Sequence, residues 1–177
     1  MKKLKIFLII LALFVVISFL QINFFTWFNI AGVMPNLFVV LVLFIGLFAG
    51  KKLGAISGLI FGLIADFMIG KTIGFSAVFL AIIGLLGEYF DKNFSKNNKL
   101  MIIIMSVAAT VFYETLMYAV NVISFKLEPE ILPFLRILLI ENIYNVLLIV
   151  AVYPGMKKLG YYLESQLNDK QLLTRYF

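Results

Sequence analysis

Two glutamates, Glu114 and Glu141, lie inside long apolar stretches of the sequence and are its strongest candidates for chemistry. Each lies about 11 to 16 residues from the turn near residue 130, hence roughly 15–25 Å along a helix from that turn. Carboxylates inside apolar spans are costly unless they are protonated, paired or hydrogen-bonded. We therefore expect a buried polar network around this pair, and its further members are Asn142, Tyr144 and Asn145.

The glutamate pair has three interpretations. It clamps helices together as a polar network, forms a proton or solute site, or makes a buried polar contact with a helix of a partner protein. Tyr113, Tyr118 and Arg136 are further candidate donors to the pair. The chain has no Cys and no His, which excludes thiolate chemistry, imidazole metal ligands and catalysis by His. We predict no catalytic residues, no cofactor and no metal site.

A third carboxylate, Asp66, follows a strip of glycines. Gly54, Gly58 and Gly62 are four residues apart, so on a helix they form a flat surface where a second backbone can approach closely. This strip predicts either packing within the chain or docking of a partner span. Gly70 and Gly74 continue the four-residue spacing after Asp66.

Asp66 has two interpretations of its own. It accepts hydrogen bonds from backbone N–H groups around Gly70 to Ile73, at the start of the next helix, or it contacts a ligand. A fourth carboxylate, Glu88, lies near the end of an apolar stretch, and we expect it to reach the membrane interface.

The composition is that of an integral membrane protein with one domain, residues 1–177. Hydrophobic residues make up 63% and charged residues 14% of the chain, against about 45–50% and 25% in soluble domains. The net charge is +6, but the basic residues lie between apolar spans rather than on one polar face. This distribution argues against binding to nucleic acid.

The elements that position these residues are six predicted transmembrane helices forming an all-α bundle. The predicted spans are 6–28, 36–50, 53–69, 73–90, 100–125 and 132–154, followed by a polar tail at 156–177. We expect the sixth span to stop at Pro154-Gly155. The tail contains leucines at 159, 163 and 167, which are spaced for a short surface helix.

The second predicted span is short for a membrane helix. Pro35 and Asn36 precede Leu37, and proline is well placed at a helix start. About fourteen residues give roughly 21 Å, against a hydrocarbon core of about 30 Å. The span must recruit flanking residues, thin the bilayer or be sheltered by neighbouring helices.

The distribution of basic residues predicts the orientation of the spans. With the N-terminus in the cytoplasm, only Lys71, Lys126 and Arg136, of fifteen basic residues, fall on the outer side. Cytoplasmic segments of membrane proteins are enriched in Lys and Arg. We therefore expect both termini to lie in the cytoplasm.

The order and spacing of these motifs resemble the rod shape-determining protein MreD family. The matching residues are Pro35, Asn36, Leu37, Gly58, Gly62, Leu63, Asp66, Gly70, Gly74, Gly84 and Gly87, with Tyr144-Asn145 and Tyr153-Pro154 near the end. The resemblance at motif level covers Met34 to Phe90, about a third of the chain.

This resemblance implies a non-enzymatic subunit of the bacterial elongation machinery, located in the cytoplasmic membrane. The implied partner is MreC and, through it, MreB, RodA and a class B penicillin-binding protein that together direct lateral peptidoglycan synthesis. Membrane lipid is a further partner, and self-association is possible. The implied fold resembles the substrate-binding subunits of energy-coupling-factor transporters, so a solute-binding subunit of a vitamin-type transporter is the alternative. Against that alternative, the first span carries Ala12 alone rather than alanines four apart.

Overall fold

The computed structural model describes residues 2–69, 73–93 and 98–167, and this part of the chain forms six helices. Helix α1 is Lys2–Phe19, continued by a π-helical turn at Leu20–Phe24 and a last turn at Phe25–Trp27. The others are α2 (Leu37–Ala49), α3 (Lys51–Ile69), α4 (Phe75–Asn93), α5 (Lys99–Phe125) and α6 (Ile131–Leu167).

Three of these helices are long and apolar enough to cross a membrane: α1 with its continuation, α5 and α6. Their outer faces carry many exposed leucine, isoleucine, valine and phenylalanine side chains. A helix surface of this kind is stable against lipid and unstable against water. The chain is therefore an all-helical membrane protein.

Helix α2 is the centre of the fold. Every residue from Leu37 to Phe48 is buried, and the helix packs against each of the other five helices. With 13 residues, it is about 20 Å long and too short for the hydrocarbon core by itself. The burial of its residues shows that neighbouring helices shelter this short span.

The turn between α2 and α3 consists of a single residue, Gly50, with a φ of +87°. Such a left-handed conformation favours glycine because it has no Cβ. The backbone N–H of Lys51 then donates to the Glu88 carboxylate at 2.6 Å. Glu88 is half-buried and holds the start of α3 against α4, in addition to any contact with the interface.

Glycines bring the backbones of α2, α3 and α4 into direct contact. A Cβ added to Gly54 would lie 2.6 Å from the Gly84 carbonyl oxygen, and one added to Gly58 would meet the backbone of Leu80. A Cβ on Gly62 would likewise meet the backbone of Ala77. All three glycines of the predicted strip thus face α4 of the same chain.

Helix α6 does not stop at Pro154, and the sequence-based expectation of its end is wrong. It continues through the proline to Leu167. Beyond the proline, Gly160 lies directly on the Phe48 ring and Leu163 is completely buried. This packing against the end of α2 offsets the cost of an interior proline, about 3 kcal/mol. Residues 156–167 of the predicted tail therefore extend α6, and residues 168–177 lie outside the described residues.

Candidate functional site

Asn36 connects three helices at the start of α2. Its side-chain oxygen accepts from the backbone N–H of Val39 at 3.3 Å, which caps the helix. Its backbone N–H donates to Asn145 Oδ1 on α6 at 3.0 Å, and its Nδ2 donates to Glu114 Oε1 on α5 at 3.1 Å. One capping residue therefore joins α2 to both helices that carry the buried glutamates.

Two amides on other helices extend this network. Asn145 Nδ2 donates to Thr110 Oγ1 at 3.1 Å, and both residues are fully buried. Gln21, in the π-helical turn of α1, donates to the Pro35 carbonyl at 2.8 Å and accepts from the Leu37 N–H at 3.0 Å. The backbone on each side of Asn36 is thus fixed by a side chain from α1.

The carboxyl groups of Glu114 and Glu141 lie within hydrogen-bonding reach of each other. A hydrogen bond between two carboxyl groups requires a proton on one of them. Glu141 is only 4% exposed, and its Oε1 has no hydrogen-bond partner. Neither glutamate forms a salt bridge with any residue that the structure describes. The pair is therefore held by Asn36 on one side and has an unpartnered acceptor on the other.

A cavity of about 1060 Å³ surrounds this pair. It lies between the first half of α6, the end of α3 and the start of α4. Ala65 of α3 and Leu80 of α4 form part of its wall. Its polar lining consists of Gln21, Asn36, Tyr113, Glu114, Arg136 and Glu141. Arg136 is exposed and Glu141 is buried, so the cation lies nearer to the opening than the acid.

Asp66 locks the corner between α3 and α4. Its Oδ2 accepts from the backbone N–H of Gly74 at 2.8 Å, and the residue is 3% exposed. Gly74 has a φ of +98° and directly precedes α4. Of the two interpretations given above, this contact supports the structural one. Gly70, the other glycine of this corner, lies outside the described residues.

Two residues expected in the network lie apart from the glutamates. Asn142 Nδ2 donates to the Leu138 carbonyl of its own helix, and its Oδ1 has no partner. The Tyr144 hydroxyl donates to the carbonyl of Phe28 at the end of α1. The Asn142 side chain therefore bonds within α6, and the Tyr144 side chain joins α6 to the end of α1. Neither side chain lines the cavity.

Several polar residues of the site were missed or misplaced by sequence reasoning. Gln21 and Thr110 were not identified, although each is an uncharged polar residue inside an apolar helix, which is the pattern that marks internal contacts. Tyr113 was expected to donate to the glutamates, but its hydroxyl donates to Ser76 on α4 at 2.9 Å. That bond joins α5 to α4 beside the cavity.

The site can bind, but it has few groups for catalysis. Among the described residues there is no cluster of three or more His, Cys, Asp or Glu that could hold a metal ion. The cavity offers acceptor oxygens at its floor, apolar walls and one cation near its opening. The fold and the site together define a helical membrane protein built around a short buried helix. It contains a cavity with polar side chains at its base.

Comparison with known families gives a more specific assignment. The family model described as rod shape-determining protein MreD matches residues 1–162. The chain therefore belongs to the MreD family, whose members are membrane proteins that act in cell shape and elongation. No curated protein and no solved structure matches the chain.

Proposed function

We propose that this protein is a non-enzymatic scaffold subunit of the bacterial elongation complex. It binds MreC and, through MreC, helps MreB, RodA and a class B penicillin-binding protein to direct lateral peptidoglycan synthesis. The observation that carries this proposal is the MreD family match over residues 1–162, which includes nearly all of the six helices.

The contacts of the polar residues agree with a scaffold. Asn36, Asn145 and Asp66 each hydrogen-bond to a backbone or side-chain group of another segment of the chain. Such bonds fix helices relative to one another and leave those groups with less capacity for chemistry. Rigid helices with fixed positions are what a subunit needs to present a constant surface to its partners.

The surface available to partners is apolar. The glycine strip of α3 is covered by α4, so a partner helix cannot use it. Helices α1 and α6 instead expose large side chains along their length: Leu4, Phe7, Leu11, Val15 and Phe19 on α1, and Leu132, Leu139, Ile143 and Leu147 on α6. We propose that partner spans dock on these two faces, in competition with lipid.

We also propose a multi-pass topology in the cytoplasmic membrane, with both termini inside. The basic residues support it, because only Lys71, Lys126 and Arg136 of the fifteen fall on the other side. The proposed bundle resembles that of the substrate-binding subunits of energy-coupling-factor transporters. In this orientation the cavity, with Arg136 near its opening, faces outward.

The direct test is recovery of partners from native membranes. The tagged full-length protein is extracted in a mild detergent, purified, and analysed by mass spectrometry next to an untagged strain. We expect enrichment of MreC together with components of cell-wall synthesis. Enrichment of a transporter ATPase pair without MreC would contradict the scaffold function.

A second candidate function, a solute-binding transporter subunit, is favoured by one observation, the cavity of about 1060 Å³. Ligand pockets have volumes of about 300–1,000 Å³ and are mostly apolar with a few convergent polar groups. The same purification separates the two functions, because a transporter subunit would be recovered with its energising ATPases.

A further inference from the structure

The cavity contains a buried acid without a counter-charge. Glu141 is only 4% exposed, and its Oε1 has no hydrogen-bond partner. The neighbouring Glu114 accepts from Asn36, an uncharged donor. A buried carboxylate is expensive without a cationic partner, so a bound cation would stabilise the ionised form of this pair.

Arg136, the cation of the cavity lining, forms no salt bridge with these carboxyl groups. Arg136 precedes Glu141 by five residues on α6, about 7.5 Å along the helix axis. Its side chain is exposed, and no described residue forms a salt bridge with it. Arg136 therefore leaves the unpartnered Oε1 of Glu141 available to a bound group.

The remaining walls are apolar and partly open. Phe38 and Leu80 are buried in the lining, whereas Leu139 lines the same cavity and is 65% exposed. An exposed leucine in a cavity wall shows that the space opens beside α6. The cavity thus combines an acidic floor with apolar walls and an entrance.

From this geometry we propose that the cavity binds an amphiphilic primary amine, an alkylammonium group attached to an apolar chain. The ammonium lies against Glu141 Oε1 and the Glu114 carboxyl, and the apolar chain lies along Phe38, Leu80 and Leu139. This ligand site goes beyond the scaffold function and depends only on the residues of the cavity.

The chemistry of the floor selects this class of ligand over others. A primary ammonium supplies one positive charge and three N–H donors, so it stabilises an ionised carboxylate of the pair and also provides the missing hydrogen bond. A quaternary ammonium has the charge but no N–H group, and an alcohol has a donor but no charge. A divalent metal ion would need more oxygen ligands than these two carboxyl groups offer.

The test compares three probes that share one chain: octylammonium, octyltrimethylammonium and octanol. The purified full-length protein is heated in mild detergent with each probe, and its melting temperature is measured by size-exclusion chromatography. At 100 times its Kd, octylammonium should raise the melting temperature by about 5–10 °C. The other two probes should produce less than half of that increase. An equal effect of all three would overturn the proposal.

Two variants and a control locate the binding. Glu141→Gln keeps the shape of the side chain and should abolish the octylammonium effect, whereas Glu164→Gln, at the other end of α6, should retain it. Leu139→Trp, which fills the cavity from an exposed position, should also abolish the effect without lowering the melting temperature of the free protein. If Glu141→Gln does not fold, Leu139→Trp decides alone. Retention of the full effect in Leu139→Trp, or in a folded Glu141→Gln, would overturn the proposal.

The natural source of the amine is distinguished by reconstitution. Nanodiscs of phosphatidylcholine alone are compared with nanodiscs that also contain phosphatidylethanolamine, whose headgroup is a primary amine. A smaller octylammonium effect in the second set assigns the site to a lipid amine, and equal effects assign it to a soluble amine. Both results support the ligand class, and absence of any effect in both sets contradicts it.

Discussion

Two regions around helix α2 contrast in packing. In the first, α3 and α4 approach so closely that a Cβ on Gly54 would lie 2.6 Å from the Gly84 carbonyl. In the second, near Asn36, α5 and α6 leave a cavity of about 1060 Å³ whose wall also includes Ala65 of α3 and Leu80 of α4. The first region holds its helices by backbone contact and the second by polar side chains that cross the gap.

This difference indicates that one region of the chain provides stability and the other provides space for binding. Backbone contact at glycines gives dense packing with no room for a ligand. The hydrogen bond from Asn36 to Glu114 joins α2 to α5 at the cavity, and both residues line the open space. The fold therefore has a dense half that fixes its shape and an open half that can accept another molecule.

The largest expected effect comes from filling the dense half. Gly58→Leu would force a side chain into the backbone of Leu80, and overpacking against a backbone cannot be relieved by rotamer changes. We expect loss of more than about 4 kcal/mol, seen as failure to recover monodisperse protein.

The matched control is Gly155→Ala, because no atom lies within 4 Å of a Cβ at this helical position. It should be neutral or stabilise α6 by up to about 1 kcal/mol. Normal yield and melting temperature in Gly58→Leu would show that α3 and α4 are not in backbone contact.

The next effect compares two leucines that line the same cavity. Leu80 is 1% exposed and also packs in the core, whereas Leu139 is 65% exposed. Leu80→Ala should cost about 2–5 kcal/mol and Leu139→Ala less than about 0.5 kcal/mol. Thermal melting in the same detergent measures both, and similar losses would mean that Leu139 is buried and the cavity is closed beside α6.

A smaller effect separates shape from charge at the floor of the cavity. Glu114→Gln keeps an acceptor for Asn36 Nδ2 and should be well tolerated. Glu114→Leu leaves that donor unpartnered and should cost about 1–3 kcal/mol more. Melting temperature and recovery of MreC are measured for both variants. Equal loss of MreC in both, with melting temperature unchanged, would indicate that a negative charge is needed for function.

The smallest effect is expected at the corner in the dense half. Asp66→Asn retains an oxygen that can accept from the Gly74 N–H, so only the charge near the start of α4 is lost. That loss should be about 0.3–1 kcal/mol, whereas Asp66→Ala should cost about 1–3 kcal/mol. A severe defect in partner recovery for a stable Asp66→Asn would instead point to a binding role.

Much of the fold could be predicted because its determinants are local. The glycine spacing indicated close helix approach, and Pro35-Asn36 marked the start of α2, where Asn36 does cap the helix. The end of α6 could not be predicted, because it depends on Gly160 packing against Phe48, more than a hundred residues earlier in the chain. Local proline chemistry was outweighed by tertiary contacts.

The sequence predicted which residues form the site better than it predicted which hydrogen bonds they make. Glu114 and Glu141 stand out as carboxylates in apolar helices, and the structure brings them together. The directions of Tyr113, Asn142 and Tyr144 depend on helix rotation, which spacing along the chain does not determine. Whether the glycine strip faces α4 or a partner also depends on packing that no local pattern encodes.

The most direct test of this division uses the absence of cysteine from the chain. Ala65 lines the cavity and Ala77 lies against Gly62, yet they are almost equally buried, at 4% and 3% exposure. Single Ala65→Cys and Ala77→Cys variants are treated in mild detergent with 2-aminoethyl methanethiosulfonate, and labelling is measured by mass spectrometry. We expect rapid labelling at position 65 and labelling at position 77 only after denaturation. Equal rates at the two positions would contradict the division into a dense half and an open half.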